Sequence, residues 1–401
     1  MRADRRRVSV IIPTYNRSEI LRETLHQLTR QSIPVDDFEV IVADDGSTDQ
    51  TKAVVDSFAG RLHMKYHWQE DLGFRAGHAR NAGARLAVGN LLVFLDTGAM
   101  AGPDFLRDHL AEHDAGRKGV IGYAYGYNPD DPLDEIGAVM AQMPPEQVVA
   151  HYAGRSGFLD IRHGWYEKCG FDLSRLTIPW MMAFSINMSV RARDFHEVGG
   201  FDEGFDRWGA EDMHLGYKLL KHGVPLALSR TAWVVEFPHE RDRESGMQEV
   251  SINLRYFLRM HPEPAVELLA LLIPRILFWT CDDEFRAILD WEASVRDLDV
   301  SPELARAAAE IAPSDRIAVI GAGGSVPTGL PQAELFDFDA ELAARSGAHH
   351  LMGLLTPLGS QSVDTVVFTS RMAGLWPRWG EDLLAEAQRV GRKVHFTFAH
   401  S

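Results

Sequence analysis

The stretch Leu91-Leu92-Val93-Phe94-Leu95-Asp96-Thr97-Gly98 decides the fold. Its apolar residues run without a break to a single carboxylate, which is typical of a strand buried on both faces of a parallel sheet. Asp96 is therefore expected at the carboxyl end of that strand, where open α/β sheets bind their ligands. Taken alone, the stretch also fits a strand that simply ends at a solvated aspartate.

The first third of the chain repeats this pattern, because short apolar segments alternate with helical ones. Residues 8–12 and 38–43 are rich in β-branched and other apolar residues and are predicted to be strands. Helices are predicted at residues 19–30, where Ser18 is a candidate N-cap, and at residues 50–58. Strands and helices in short alternation predict an α/β fold with a doubly wound sheet.

Composition narrows the class of protein. The chain has 401 residues and a formal net charge of -16, which argues against nucleic acid as a partner, since a phosphate-binding surface needs a basic excess. Two cysteines make no disulfide framework, which suits a reducing cytosol. The apolar stretch at residues 266–281 is interrupted by charged residues and proline, so no transmembrane segment is expected. We therefore expect a cytoplasmic protein without a signal peptide.

The pattern changes along the chain and predicts three parts. Residues 1–250 are expected to form one domain with two halves, at about 1–120 and at about 121–250. Helix-rich sequence at 251–312 is a helical linker, and residues 313–401 form a small Rossmann-like α/β module. The glycine loop of this module reads Gly321-x-Gly323-Gly324, which falls short of a complete Gly-x-Gly-x-x-Gly.

Four motifs in the first 120 residues resemble those of family 2 glycosyltransferases of the GT-A fold. Residues 9–17 (SVIIPTYNR) resemble the opening motif, and residues 42–47 (VADDGS) resemble the second. Residues 77–83 (GHARNAG) and 95–98 (LDTG) resemble the third and fourth, in the same order. The resemblance implies that residues 1–250 are a catalytic domain, with a nucleotide-binding half at about 1–120 and an acceptor-binding half at about 121–250. It also implies a nucleotide-sugar donor, expected to be a UDP-sugar.

The donor site combines carboxylates and cations. A nucleoside needs a carboxylate that accepts from its base and ribose, and arginine forks onto phosphate oxygens. Alternatively, Asp44 could cap the following helix, and Arg75 and Arg80 could lie on a solvated helix face without binding a ligand. Together, residues and resemblance predict nucleotide binding by Pro13, Thr14, Tyr15, Arg17, Asp44, Asp45, Arg75, Arg80, Asp96 and Thr97.

The fourth motif departs from the family pattern, in which Asp-x-Asp helps to bind a divalent cation. Gly98 stands at the third position, so one hard oxygen ligand is missing. The resemblance implies Asp96 and His239 as ligands of Mn²⁺ or Mg²⁺, whose binding is expected to be weak or dependent on the donor. A cation held mostly by phosphates and water, or none at all, are the alternatives.

A second block, Trp208-Gly209-Ala210-Glu211-Asp212, follows a Gly-Gly-Phe-Asp-Glu segment and opens a predicted helix. Acidic residues in a first turn also favour the helix dipole, so capping is the alternative. The block resembles the acceptor-side motif of galactosyltransferases and chondroitin-type polymerases. The resemblance implies that Asp212 is the base, that Glu211 supports it and that Trp208 contacts the acceptor. Asn187 and Trp180 are further candidate acceptor contacts.

These observations predict an inverting glycosyltransferase that moves a sugar from a nucleotide-sugar donor to a hydroxyl of a sugar, cyclitol or other acceptor. Its partners would be the donor and a carbohydrate-like acceptor, and a homo-oligomer is compatible with the sequence. Two other functions stay open at this point. One is an S-adenosylmethionine-dependent methyltransferase that uses the C-terminal glycine loop, and the other is a catalytically inactive sugar-nucleotide-binding scaffold.

Overall fold

The apolar run that ends at Asp96 is a buried strand, Leu91–Leu95. The computed structural model describes residues 7–126, 133, 135–238, 243–325, 330 and 333–399, without the side chains of 243–245. The chain divides into two compact units, Met1–Asn253 and Leu254–Ser401. The predicted α/β class is confirmed. Among the described residues, no helix is long and apolar enough to cross a membrane.

The first unit alternates strands and helices along its N-terminal half. Its strands are β1 (Val8–Thr14), β2 (Phe38–Asp44), β3 (Met64–Trp68), β4 (Leu91–Leu95), β5 (Ala99–Ala101), β6 (Gly119–Tyr125), β7 (Asn187–Arg191) and β8 (Leu226–Glu236). Its helices are α1 (Ser18–Leu28), α2 (Thr51–Phe58), α3 (Ala76–Leu86), α4 (Phe105–Asp114), α5 (Ile136–Met140), α6 (Pro145–His151), α7 (His163–Lys168), α8 (Ala192–Glu197) and α9 (Glu211–Lys221). Short 3-10 turns cover Val35–Asp37, Ser156–Phe158, Leu173–Arg175 and Pro179–Met182.

These strands form one eight-stranded sheet in the order β3-β2-β1-β4-β7-β6-β8-β5. The strands β3, β2, β1 and β4 are parallel, and β7 then runs antiparallel to β4 with Leu95 opposite Asn187. In this register Thr14 is the partner of Asp44. The carboxyl ends of β1, β2 and β4 therefore share one edge with the start of β7, and that edge holds the predicted site.

Close packing sets the distance between α3 and the sheet. A Cβ at Gly83 of α3 would lie 2.6 Å from Cγ2 of Ile11, which is fully buried in β1. Glycine therefore allows the helix to approach the strand, and α3 carries Arg80 to the sheet edge.

The N-terminus of α1 differs from expectation, because Ser18 is not its cap. The N-cap is Arg17, and the Ser18 amide donates to the Asp49 carboxylate at 2.9 Å.

The second unit begins inside α10 (Arg243–Met260) and has its own sheet. The strands of this sheet are β9 (Ile317–Ile320), β10 (Ala333–Asp337), β11 (His349–His350), β12 (Val363–Phe368) and β13 (Gly391–Phe396). They lie in the order β11-β10-β9-β12-β13, and all pairs are parallel. The further helices of this unit are α11 (Pro264–Leu272), α12 (Cys281–Val295), α13 (Ser301–Glu310), α14 (Ala340–Ser346) and α15 (Trp376–Val390), with 3-10 turns at Ile273–Arg275, Phe278–Thr280 and Ser370–Met372.

Candidate functional site

Asp44 ends β2 and shapes the turn that follows it. The side chain is fully buried, and its two oxygens accept from the Ser47 amide at 2.7 Å and from the Tyr66 hydroxyl at 2.6 Å. Burial, together with the bond to Asp44, raises the pKa of Tyr66. A carboxylate accepts about four hydrogen bonds, so these two contacts leave Asp44 acceptor capacity toward the sheet edge.

Asp45 fastens the loop at residues 69–75 to the same edge. Its carboxylate accepts from the Gln69 side chain at 2.6 Å, from the Arg75 amide at 3.0 Å and from the Arg75 guanidinium at 3.2 Å. From the other side, the Tyr15 hydroxyl donates to Asp71 at 2.7 Å, while 47% of Tyr15 stays exposed. The loop therefore lies beside the ends of β1 and β2, and Arg75 faces Asp45.

Arg80 is the buried centre of the site. Only 5% of its side chain is exposed, and its two terminal nitrogens donate to different carboxylates: Asp96 at 2.8 Å and Glu211 at 3.1 Å. Burial of the guanidinium opposes its charge, but the carboxylates outweigh this effect and hold the pKa of Arg80 above its ordinary value. One arginine thus links the predicted donor side to the predicted acceptor side.

Two hydrogen bonds from backbone amides complete a closed ring of contacts around Arg80. The Asp96 amide donates to the Ile186 carbonyl at 3.2 Å, and the Ser185 amide donates to the Asp212 carboxylate at 3.3 Å. The dipeptide that precedes β7 therefore touches both the donor-side and the acceptor-side aspartate. We call this closed set the central circuit; its members are Asp96, Arg80, Glu211, Asp212, Ser185 and Ile186.

Asp212 has the surroundings of a general base. It lies in the first turn of α9, which follows Ala210 in a left-handed conformation with φ of 72°. Burial and the neighbouring Glu211 raise the pKa of Asp212 to about 7, although Arg80 opposes the shift. A base is most effective when its pKa lies near the working pH. The position therefore suits proton transfer better than helix capping alone.

Trp208 is the exposed member of the acceptor-side motif. Its amide donates to Glu249 at 3.1 Å, and 41% of the residue is exposed. The side-chain amide of Asn253 donates to the carbonyls of Arg207 and Gly209 at 2.8 and 2.7 Å. These contacts fix the backbone on both sides of Trp208, so the partly exposed indole is attached to an ordered segment.

Two predicted acceptor contacts lie apart from the central circuit. Asn187 is fully buried in β7; its amide donates to the Ala232 carbonyl at 2.8 Å, and its carbonyl oxygen bonds the His109 ring at 2.9 Å. Trp180 is 4% exposed, and its ring meets Tyr217 edge-on at 5.6 Å. Both side chains take part in internal packing.

The remaining donor-side candidates lie around the end of β1. The Thr97 hydroxyl donates to the Pro13 carbonyl at 2.9 Å, which ties the residue after Asp96 to β1. The Thr14 hydroxyl is buried without a hydrogen-bond partner among the described residues. Arg17 is partly exposed at the start of α1. This group therefore adjoins the turn that Asp44 shapes.

The residues that the structure describes contain no cluster of three His, Cys, Asp or Glu side chains suited to a metal ion. Gly98 has a φ of 104°, a conformation that disfavours any side chain. The backbone at this position therefore suits the glycine better than the second aspartate of Asp-x-Asp. Asp96 gives one oxygen to Arg80 and is 35% exposed. His239 lies outside the described residues.

Asn81 and Ser185 are site residues whose roles the sequence analysis missed. The Asn81 side chain accepts from the Phe201 amide and donates to the Phe201 carbonyl, both at 2.9 Å. A Cβ at Gly200 would lie 2.6 Å from the same side chain. Asn81 therefore joins α3 to the Gly-Gly-Phe-Asp-Glu segment. Its place in the third motif was a usable signal, whereas no pattern pointed to Ser185.

The glycine loop of the second unit is tied to internal charges. Asp337 ends β10, the position whose carboxylate a Rossmann-type site offers to a ribose. Here that carboxylate accepts from the Gly323 amide at 2.8 Å and from Arg371 at 2.9 and 3.0 Å. Both charged side chains are fully buried. The geometry thus gives Asp337 an internal structural role.

Comparisons with known proteins agree with the motifs. A family model described as glycosyl transferase family 2 matches residues 9–165, and one described as the N-terminal domain of galactosyltransferase matches residues 167–240. A validoxylamine A glucosyltransferase from Streptomyces hygroscopicus subsp. jinggangensis is 41% identical over 404 residues, which cover 96% of each chain. The hyaluronan synthase of Pasteurella multocida is 31% identical over 60% of this chain and 26% of its own.

Among solved structures, a mannosyltransferase from Pyrobaculum calidifontis, described in complex with GDP-Man and Mn²⁺, matches with a TM-score of 0.47. It is 20% identical to this chain, and the match covers 76% of this chain and 79% of the other.

Proposed function

The chain belongs to the family 2 glycosyltransferases, and on that premise we propose that it transfers a glucosyl group from UDP-glucose to validoxylamine A. The proposed acceptor and sugar are those in the printed name of the relative that matches over 96% of both chains. UDP is proposed as the nucleotide because the donor-side motifs resemble those of family 2 glycosyltransferases. The observation that carries the catalytic assignment is the link from Asp96 through Arg80 to the acceptor-side motif.

In the proposed reaction, Asp212 takes the proton from the acceptor hydroxyl as that oxygen attacks the anomeric carbon of the donor. The bond from this carbon to the diphosphate breaks on the opposite face, so the anomeric configuration inverts. The raised pKa of Asp212 supports this role, because the carboxylate is ionised in part near neutral pH and still basic enough to accept a proton.

The leaving diphosphate is proposed to lie beside Asp96 at the end of β4. Arg80 pairs with both Asp96 and Glu211, so these three side chains together carry a net negative charge, which favours a cation bound between Asp96 and the diphosphate. Asp96 has an oxygen that Arg80 does not engage, which suits a hard divalent cation; with His239 it would hold Mn²⁺ or Mg²⁺ together with phosphate oxygens. Such a cation would neutralise charge on the diphosphate. With so few protein ligands, its binding is proposed to be weak without the donor.

A transfer assay tests the proposal. The purified protein is incubated with validoxylamine A and UDP-glucose, and glucosylated product and released UDP are measured by liquid chromatography with mass spectrometry. GDP-mannose and UDP-N-acetylglucosamine serve as alternative donors. Product with UDP-glucose alone supports the proposal, and product with another donor only would contradict the sugar assignment. Cytoplasmic location and homo-oligomer formation stay predictions.

A further inference from the structure

Ser185, two residues before the start of β7, carries a buried hydroxyl that has no hydrogen-bond partner among the described residues. The residue is 1% exposed. Its amide, however, donates to the Asp212 carboxylate at 3.3 Å. Buried polar groups are nearly always paired, so an exception beside the proposed base needs an explanation.

A second serine, four residues later in β7, shows the ordinary arrangement. Ser189 is fully buried, and its hydroxyl bonds the His109 ring at 2.9 Å and the His113 ring at 2.8 Å. Among the described residues, one of these two buried hydroxyls is therefore paired and the other is unpaired. The two serines differ in their neighbours, because only Ser185 belongs to the central circuit.

The segment that carries Ser185 is held from both sides. Arg162 donates to the Met182 carbonyl at 2.9 Å before it, and the Ile186 carbonyl accepts from the Asp96 amide at 3.2 Å after it. The backbone of Ser185 is thus fixed, whereas its hydroxyl changes direction by rotation about one side-chain bond. That freedom gives the hydroxyl a way to reach a partner close to its own amide.

We propose that Ser185 is a positioning residue whose hydroxyl orients Asp212 as that carboxylate gains and loses its proton. The inference rests on the proposed role of Asp212 as base. A hydroxyl both donates and accepts, so it donates to the ionised carboxylate and accepts from the protonated one. The proton passes from the acceptor oxygen to Asp212, and Ser185 keeps its own proton throughout. Its amide holds one carboxylate oxygen, and its hydroxyl orients the carboxylate in both states.

Three neighbouring charged groups also influence the pKa of Asp212. Glu211 adjoins it on α9 and raises its pKa, while Arg80 on α3 lowers it. Arg162, beside α7, also interacts electrostatically with Asp212. None of these groups changes when the Ser185 hydroxyl is removed, so a shift in the titration of Asp212 reports the loss of this donor.

The variant Ser185→Ala tests the proposal. The pKa of Asp212 is measured by carboxyl-carbon NMR in the free protein, and the pH profile of kcat is measured with UDP-glucose and validoxylamine A. Ser185→Ala loses both contacts, but the bond to the ionised carboxylate is charge-assisted and the stronger of the two, so we expect the pKa to rise by about one unit. On the acid side of the profile kcat then falls about tenfold, while the alkaline plateau changes less.

Ser189→Ala is the matched control, since it removes a paired hydroxyl from the same segment. We expect it to lower the melting temperature without moving the pKa of Asp212, whereas Ser185→Ala moves that pKa. An unchanged pKa of Asp212 in Ser185→Ala would overturn the proposal, and so would failure of that variant to fold. If the wild-type protein transfers no glucose, the proposed function fails, but the NMR measurement still decides the role of Ser185.

Discussion

Asp212→Asn separates the proposed base from a helix cap. Asparagine keeps the size of the side chain and an oxygen that accepts from the Met213 amide, which the carboxylate does at 2.8 Å. It cannot take a proton from the acceptor. A positioned general base contributes about 10² to 10⁴ in rate, so we expect kcat to fall by that factor. Donor binding should change little, because Asp212 lies on the acceptor side of the central circuit.

The same variant should change the free energy of unfolding in a pH-dependent way. The pKa of Asp212 rises from 3.8 to about 7 on folding, mainly through burial. The carboxyl therefore favours the folded state fully below about pH 4, and this contribution is lost as the pH rises through about 7. Because asparagine does not titrate, the variant should gain stability relative to wild type as the pH rises from 4 to 8.

Two measurements check this prediction. Turnover is followed as UDP release with acceptor present, and UDP affinity is followed by isothermal titration calorimetry. Asp206→Asn is the control, because Asp206 lies in the preceding loop with 70% of its side chain exposed. Turnover of Asp212→Asn within a few-fold of wild type would refute the role of base. A stability difference that does not depend on pH would refute the electrostatic argument.

Three further predictions concern the donor side. Arg80→Met should lower the free energy of unfolding by about 3–5 kcal/mol in urea denaturation, because it leaves two buried carboxylates without their shared cation. Its control, Arg85→Met, removes an exposed arginine and should cost less than about 1 kcal/mol. Equal losses in the two variants would contradict the central circuit. Asp44→Ala should weaken UDP binding in calorimetry, and an unchanged Kd would leave Asp44 only its role in the turn. Mn²⁺ should bind measurably only with UDP present, and His239→Ala should weaken that joint binding. Tight Mn²⁺ binding to the free protein would show that a ligand is missing from the account.

Patterns that repeat along the chain were predictable. The position of Asp96 followed from an unbroken apolar run, because a strand buried on both faces must end where the carboxylate begins. The parallel order of β1, β2 and β4 followed from short alternation of strands and helices. The start of α9 at Glu211 followed from its acidic first turn.

Contacts between distant segments were not predictable in the same way. Nothing in the spacing of Arg80 indicates that it reaches both Asp96 and Glu211, since the latter lies 131 positions away. Asn187 was a candidate acceptor contact, and the structure shows its side chain bonded to the His109 ring in α4 and to the Ala232 carbonyl in β8. Ser185 has no motif at all, and its importance depends on which atoms surround it after folding.

The stereochemistry of transfer tests the central claim most directly. If the acceptor hydroxyl, deprotonated by Asp212, attacks opposite the leaving diphosphate, an α-linked UDP-glucose must give a β-glucoside. The proton coupling at the anomeric carbon, measured by NMR on the purified product of UDP-glucose and validoxylamine A, distinguishes the two configurations. The account predicts a β-linked product from the wild-type protein and none above background from Asp212→Asn. An α-linked product would contradict it.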